Sequence, residues 1–189
     1  MLQINPLSYL NTQIFSLSYP LSHKFIVTLH SKVCLFQNAS FIFRFYIRVM
    51  ITFLTENVEM PDIQKTPIRA WIKEVADSYG KRVGEIAYVF CDDAKILEVN
   101  QQYLQHDYYT DVITFDYSEK KKISGDIFIS LDTVKTNAKK FSQPYLTELH
   151  RVIIHGVLHL CGINDKGPGE REVMENAEDK ALSLFSIPE

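Results

Sequence analysis

The chain has 189 residues, of which 46% are apolar and 23% are charged, and its net charge is −3. This length supports one domain with a sizeable core but hardly two, and the composition is that of an ordinary soluble globular protein. The three cysteines form no CxxC pair, which argues against a disulfide framework and favours a reducing compartment, so we expect a cytoplasmic protein.

The first 49 residues differ in composition from the rest of the chain. They contain four basic residues and no Asp or Glu, so residues 50–189 carry a net charge of −7. The segment lacks the order of a secretory signal, the Arg-rich amphipathic character of a transit peptide and an apolar run long enough to cross a membrane. Because Met50 opens a plausible strand, we expect 1–49 to be a non-native or disordered extension, followed by one domain at 50–189 without membrane association.

Nine elements are predicted after residue 50. Apolar residues at helical spacing indicate the helices, and β-branched or aromatic runs indicate the strands. In chain order these are a strand at 51–54, a helix at about 61–79, a strand at 85–91, a helix from Asp92 or Asp93 to about 103, strands at 111–116 and 126–130, and helices at 131–141, 144–161 and about 170–185. The last helix carries an apolar stripe of Val173, Ala177, Ala181 and Leu184. The order predicts an α+β single domain, a small mixed β-sheet packed with about five helices.

The residues that carry chemistry lie at the end of the long helix. His155 and His159 are four residues apart, so they stand on one helix face at a separation that suits two ligands of one metal ion. Gly162 can end the helix in the left-handed conformation and let Asp165 offer a carboxylate oxygen. Two nitrogens and a carboxylate leave a fourth position for water, as in catalytic zinc sites. We therefore predict a metal-dependent hydrolase with one Zn²⁺ per chain, held by His155, His159 and Asp165.

Two other interpretations of the histidine pair stay open. The spacing alone fits two core histidines on a buried helix equally well. It also fits a zinc metallopeptidase, but the HExxH peptidases place a general base directly after the first histidine, where this chain has Gly156.

Several motifs together resemble one family. The sequence HGVLHLCG at 155–162, followed by Asp165, resembles the HGxLHLxGxxH signature of the YbeY endoribonucleases, the bacterial rRNA maturation factors. The segments TDVITF at 110–115, GDIFIS at 125–130 and NQQY at 100–103 are similar to the family's TDVLSF segment, GDI-type strand and LNxxY helix end. The resemblance covers nearly all of 50–189 and none of 1–49.

This resemblance implies a fold and a function. The fold carries a zincin-like metal helix. The function is that of a single-strand-specific, metal-dependent endoribonuclease, which matures the 3′ end of 16S rRNA and acts in late-stage 70S ribosome quality control. Ribosomal RNA and the small ribosomal subunit are the implied partners, and no small-molecule cofactor beyond the metal is implied. A non-catalytic, metal-stabilised ribosome-assembly factor is a further hypothesis.

Two positions depart from the family pattern. The third ligand of the family is usually histidine, where this chain has Asp165, and carboxylate is an accepted zinc ligand. The family arginine implicated in activity is replaced by Leu104, so the cation expected at the phosphate is missing from its usual place, which favours the non-catalytic hypothesis unless another residue supplies the charge. His106 and Arg151 are candidate replacements for the missing arginine, and together with His155 they are the candidate catalytic residues. An ordinary surface or helix role also fits His106 and Arg151.

RNA contacts require a local patch because the domain as a whole is acidic. Lys135, Lys139 and Lys140 on one helix are candidate RNA-binding residues, as is Tyr108, whose ring can stack on an unpaired base. The same residues also fit a solvated lysine face and a packed tyrosine.

Overall fold

The computed structural model describes residues 51–104 and 107–185. The extension expected at 1–49 and the candidate His106 lie outside the described residues, so both stay predictions. The elements are β1 (Ile51–Glu56), α1 (Lys65–Ser78), β2 (Arg82–Cys91), α2 (Asp93–Val99), a π-helical turn (Asn100–Leu104), β3 (Val112–Asp116), β4 (Lys122–Ser130), α3 (Leu131–Lys140), α4 (Tyr145–Cys161) and α5 (Glu170–Leu184). Across 51–104 and 107–185, no helix combines the length and the apolar character needed to cross a bilayer.

The four strands form one mixed sheet in the order β1-β2-β4-β3. β1, β2 and β4 are parallel, whereas β3 runs antiparallel to β4. Both β2 and β4 begin earlier than expected, because Arg82 and Lys122 pair with each other at the start of the two strands. The four-stranded mixed sheet and its five α-helices confirm the predicted α+β class.

α4 is the central helix of the core. Six of its apolar side chains have no exposed surface, and these are Leu149, Val152, Ile153, Ile154, Val157 and Leu158. Such burial stabilises the fold by roughly 1.5–3 kcal/mol per side chain. The helix that holds both histidines is therefore rigidly positioned.

The buried face of α5 differs from the predicted stripe. Ala177 and Ala181 are buried as expected, but Val173 is 58% exposed and Leu184 is 41% exposed. Met174 and Glu178 take the remaining inward positions. The buried face of α5 is therefore rotated about the helix axis relative to the predicted stripe. The apolar pattern could not predict this, because one of the buried residues, Glu178, is an acid.

Gly156 lets α4 approach the sheet closely. A Cβ atom at this position would lie 2.9 Å from Ile127 Cγ2 and 3.2 Å from Thr114 Oγ1. We expect Gly156→Val to lower the free energy of unfolding by about 1–3 kcal/mol, because an overpacked core forces its neighbours to shift. Urea unfolding measures this, with Ala70→Val on the exposed side of α1 as the control for helix propensity. An unchanged midpoint for Gly156→Val would show that the helix has room to move away from the sheet.

Candidate metal centre

The end of α4 brings three potential ligands together. His155 and His159 lie on one face of the helix, with ring centroids 4.4 Å apart and ring planes at 87°. Gly162 ends the helix with a left-handed φ of 99°, which a residue without Cβ adopts at little cost. The chain then reverses, and Ile163 N–H donates to Leu158 O at 3.0 Å. This reversal returns Asp165 to the histidine face.

The three donor atoms converge on one point. Asp165 Oδ2 lies 3.7 Å from His155 Nε2 and 3.9 Å from His159 Nε2. One ligand atom from each residue lies within 4.8 Å of the other two. A tetrahedral ion with bonds of about 2.0–2.2 Å separates its ligand atoms by about 3.3–3.6 Å. Binding a small divalent cation would therefore require the two distances to Asp165 Oδ2 to shorten by a few tenths of an ångström.

Hydrogen bonds favour the tautomer of both imidazoles in which Nε2 is available to bind a metal. His155 Nδ1 lies 2.6 Å from Glu178 Oε1, and His159 Nδ1 lies 2.9 Å from Ile163 O. Both partners are acceptors, so each neutral ring carries its hydrogen on Nδ1 and presents the Nε2 lone pair toward Asp165. Burial and the neighbouring His155 lower the pKa of His159, which favours the neutral ring.

Arg151 lies one turn before His155 and binds three carboxylates. Its Nη1 is 3.2 Å from Glu178 Oε2, its Nη2 is 2.5 Å from Glu148 Oε1, and Nη2 is 3.5 Å from Asp111 Oδ2. The hydrogen bond to fully buried Glu148 is the main cause that raises the pKa of Arg151 above its ordinary value. The structure thus places this candidate cation behind His155, where it orients Glu178.

An open cleft of about 670 Å³ adjoins the candidate metal centre on the side of His155 and Asp165. His155 and Asp165 belong to its lining. The cleft is also lined by Arg151 and its partner Asp111, by Lys140 and Phe141 at the end of α3, and by Arg171 of α5. A substrate that reaches the ligand atoms therefore also contacts these walls.

The remaining predicted site residues are dispersed. Lys135 and Lys139 are exposed on α3, but of the three predicted lysines only Lys140 is among the described residues that line the cleft. Tyr108 is 54% exposed in the loop before β3, where its carbonyl accepts a hydrogen bond from Asn100 at 2.8 Å.

Sequence reasoning did not identify Glu178 or Phe141 as site residues, nor Glu148 as the partner of Arg151. One signal for Glu178 was available, because an acid that lies between Ala177 and Ala181 on an apolar helix face must have a buried partner. Glu148 lies one turn before Arg151 on the same helix, a spacing that favours an ion pair.

The structure leaves no place for a peptidase base at residue 156. A side chain there would enter the contact with Ile127 rather than the ligand face. Glu148 is bound by Arg151, and Glu170 Oε2 accepts a hydrogen bond from Gly167 N at 2.7 Å. Both of these acids are therefore already engaged.

Comparison with known proteins identifies the family. The family model of Endoribonuclease YbeY matches residues 51–186. The chain belongs to the YbeY endoribonuclease family. This confirms the resemblance of the motifs and makes the chain a hydrolase that cleaves RNA.

The sequence similarity to individual YbeY proteins extends over nearly the whole length of those proteins. Endoribonuclease YbeY of Phocaeicola vulgatus is 73% identical over 138 residues, which are 73% of this chain and 100% of that protein. Its namesake from Bacteroides thetaiotaomicron is 69% identical over 134 residues, which are 71% of this chain and 98% of that protein. The solution structure of TM1509 from Thermotoga maritima superposes with a TM-score of 0.53 at 26% identity, covering 72% of this chain and 91% of that one.

Proposed function

We propose that this chain is a single-strand-specific endoribonuclease that depends on one Zn²⁺ held by His155, His159 and Asp165. The convergence of both Nε2 atoms on Asp165 Oδ2, with both Nδ1 atoms already bonded, is the observation that supports it. When bound, the ion supplies Lewis acidity, which lowers the pKa of water toward neutrality and polarises a phosphoryl oxygen.

The protein's own residues contribute orientation and charge. Glu178 holds the hydrogen on Nδ1 of His155, and Arg151 holds Glu178 in place. Asp165 brings a negative charge, so this ligand set reduces the charge of a divalent ion by one unit more than three neutral histidines would. A less positive centre attracts a phosphate less strongly, and cationic side chains on the cleft walls offset part of that loss.

The biological substrate that we propose is ribosomal RNA. In this proposal the enzyme matures the 3′ end of 16S rRNA, acts in late-stage 70S quality control and contacts the small ribosomal subunit in the cytoplasm. Family membership and the motifs shared with the rRNA maturation factors support it. In cells whose only copy carries Asp165→Ala, we expect 16S rRNA with an unprocessed 3′ end, detected by primer extension or sequencing of RNA ends.

A cleavage assay on purified protein tests the proposed activity. After removal of metal with a chelator, restored Zn²⁺ should allow cleavage of a single-stranded RNA and much slower cleavage of the same sequence annealed to its complement. A protein that binds the ion stoichiometrically but cleaves neither RNA would be a metal-stabilised assembly factor instead. Cleavage of a casein-like substrate without RNA cleavage would favour the peptidase.

A further inference from the structure

Phe141 is a large apolar side chain held at the edge of the cleft. It is 54% exposed, and its backbone N–H donates to Asn137 O at 2.9 Å, which fixes it at the end of α3. Lys140 Nζ lies 5.4 Å from the centroid of its ring. Single exposed apolar residues are common on protein surfaces. This one lines the same cleft as His155 and Asp165, where a substrate of the metal centre must enter.

The floor of the cleft is formed by Asp111, Arg151 and Glu178. Its charge acts differently on the phosphate backbone and on the bases of an RNA strand. Asp111 and Glu178 line this floor and share the guanidinium of Arg151 with Glu148, which is fully buried and does not line the cleft, so carboxylates outnumber the cation that pairs with them. This excess of negative charge repels a phosphate. A nucleobase is uncharged, and its amino groups can donate hydrogen bonds to carboxylate oxygens. The floor therefore favours a base over the backbone.

The wall and the floor together lead to a substrate subsite. Resting on the proposed nuclease function, we infer that this part of the cleft binds one unpaired base next to the scissile phosphate. The ring of Phe141 is its stacking surface, and the ammonium group of Lys140 lies beside the adjoining phosphate. The whole cleft, with a volume of about 670 Å³, has room for a base at Phe141 as well as for the phosphate next to the candidate ligands.

This subsite accounts for a preference for single strands. A base reaches Phe141 only when it is out of its duplex stack, and unstacking a paired base costs a few kcal/mol. An aromatic ring stacks on any of the four bases because each has a π-face. The subsite thus selects unpaired RNA with little selection for sequence.

Three variants test the subsite. Phe141→Ala should raise KM for a single-stranded RNA about 5- to 150-fold, the effect of removing one stacking partner. Phe141→Trp keeps an aromatic face and should cleave like the unaltered protein. Tyr79→Ala removes another partly exposed aromatic ring, at the end of α1 away from this cleft, and should leave cleavage unchanged. All three should bind the same amount of metal.

Abasic substrates make the test specific to stacking. An RNA that lacks the base on one side of the cleavage position should be cleaved about 5- to 150-fold less efficiently by the unaltered protein. The same substrate should cause no further loss in Phe141→Ala. An unchanged KM for Phe141→Ala, or an additive loss with the abasic RNA at both neighbouring positions, would overturn the inference.

A binding measurement separates this inference from the proposed activity. In metal-free Phe141→Trp, a single-stranded oligonucleotide should quench the added indole fluorescence more strongly than its abasic counterpart, and Trp71 contributes a constant signal because it is only 2% exposed. Quenching without cleavage by the unaltered, metal-loaded protein would support the subsite and overturn the nuclease proposal. Cleavage without quenching would support the nuclease proposal and overturn the subsite.

Discussion

Replacement of Asp165 by alanine is expected to lower the rate of RNA cleavage at least about 1000-fold, because several kcal/mol of transition-state stabilisation by a metal correspond to about three powers of ten. Asp165 Oδ2 is the atom on which both histidine Nε2 atoms converge, at 3.7 and 3.9 Å. Without it two nitrogens remain, and two ligands do not hold Zn²⁺ firmly. The side chain is 30% exposed, so the fold should survive its removal.

Two further variants separate ligand loss from general damage. Asp77→Ala removes an exposed carboxylate of α1 and should leave cleavage unchanged. Asp165→His restores the ligand that is usual in the family and should retain one zinc per chain. Steady-state cleavage of a single-stranded RNA, with circular dichroism to confirm folding, provides the measurement. Activity of Asp165→Ala within tenfold of the unaltered protein would show that this carboxylate is not a ligand.

Glu178→Gln is expected to weaken zinc binding about 10- to 100-fold, with a similar loss of cleavage at limiting metal. The amide preserves the size of the side chain but removes the charge that lies 2.6 Å from His155 Nδ1 and 3.2 Å from Arg151 Nη1. The amide has one acceptor oxygen in place of two, so it cannot accept from both His155 Nδ1 and Arg151 Nη1, and a neutral partner no longer increases the basicity of the His155 ring. Competition with a chromogenic chelator measures the affinity.

A positioning role for Glu178 has a signature that simple destabilisation lacks. Long-range proton–nitrogen NMR correlations of the metal-free protein should show His155 as the Nδ1–H tautomer, and Glu178→Gln should mix the two tautomers. Glu172→Gln, an exposed change on the first turn of the same helix, is the matched control. An unaltered tautomer together with an unaltered zinc affinity in Glu178→Gln would contradict the role.

Local patterns were sufficient for the succession of elements. The predicted helix cap at Asp92 is present, since its side chain accepts from Lys95 N at 2.8 Å. α2 nevertheless ends at Val99, and a π-helical turn replaces the last turn expected. The early starts of β2 and β4 depend on pairing between two strands that are distant in the sequence. Arg82 pairs with Lys122, and the backbone N–H of Glu85 donates to the hydroxyl of Ser124, 39 residues away. A charged segment gives no local sign of such pairing.

The candidate ligands were predictable because they follow from one helix and one glycine turn. The spacing of His155 and His159 fixes their common face, and Gly162 ends the helix as expected. The partners behind them were not predictable, because Glu178 comes from another helix and its role depends on how α5 packs against α4. The exposure of Phe141 likewise depends on where α3 ends relative to the cleft.

A crystal structure of protein grown with zinc, with anomalous data collected on both sides of the zinc edge, would show whether His155, His159 and Asp165 bind the ion. We expect one anomalous peak per chain, about 2.0–2.2 Å from His155 Nε2, His159 Nε2 and an oxygen of Asp165. A peak elsewhere, or an Asp165 side chain turned away from both rings while zinc is present, would contradict it.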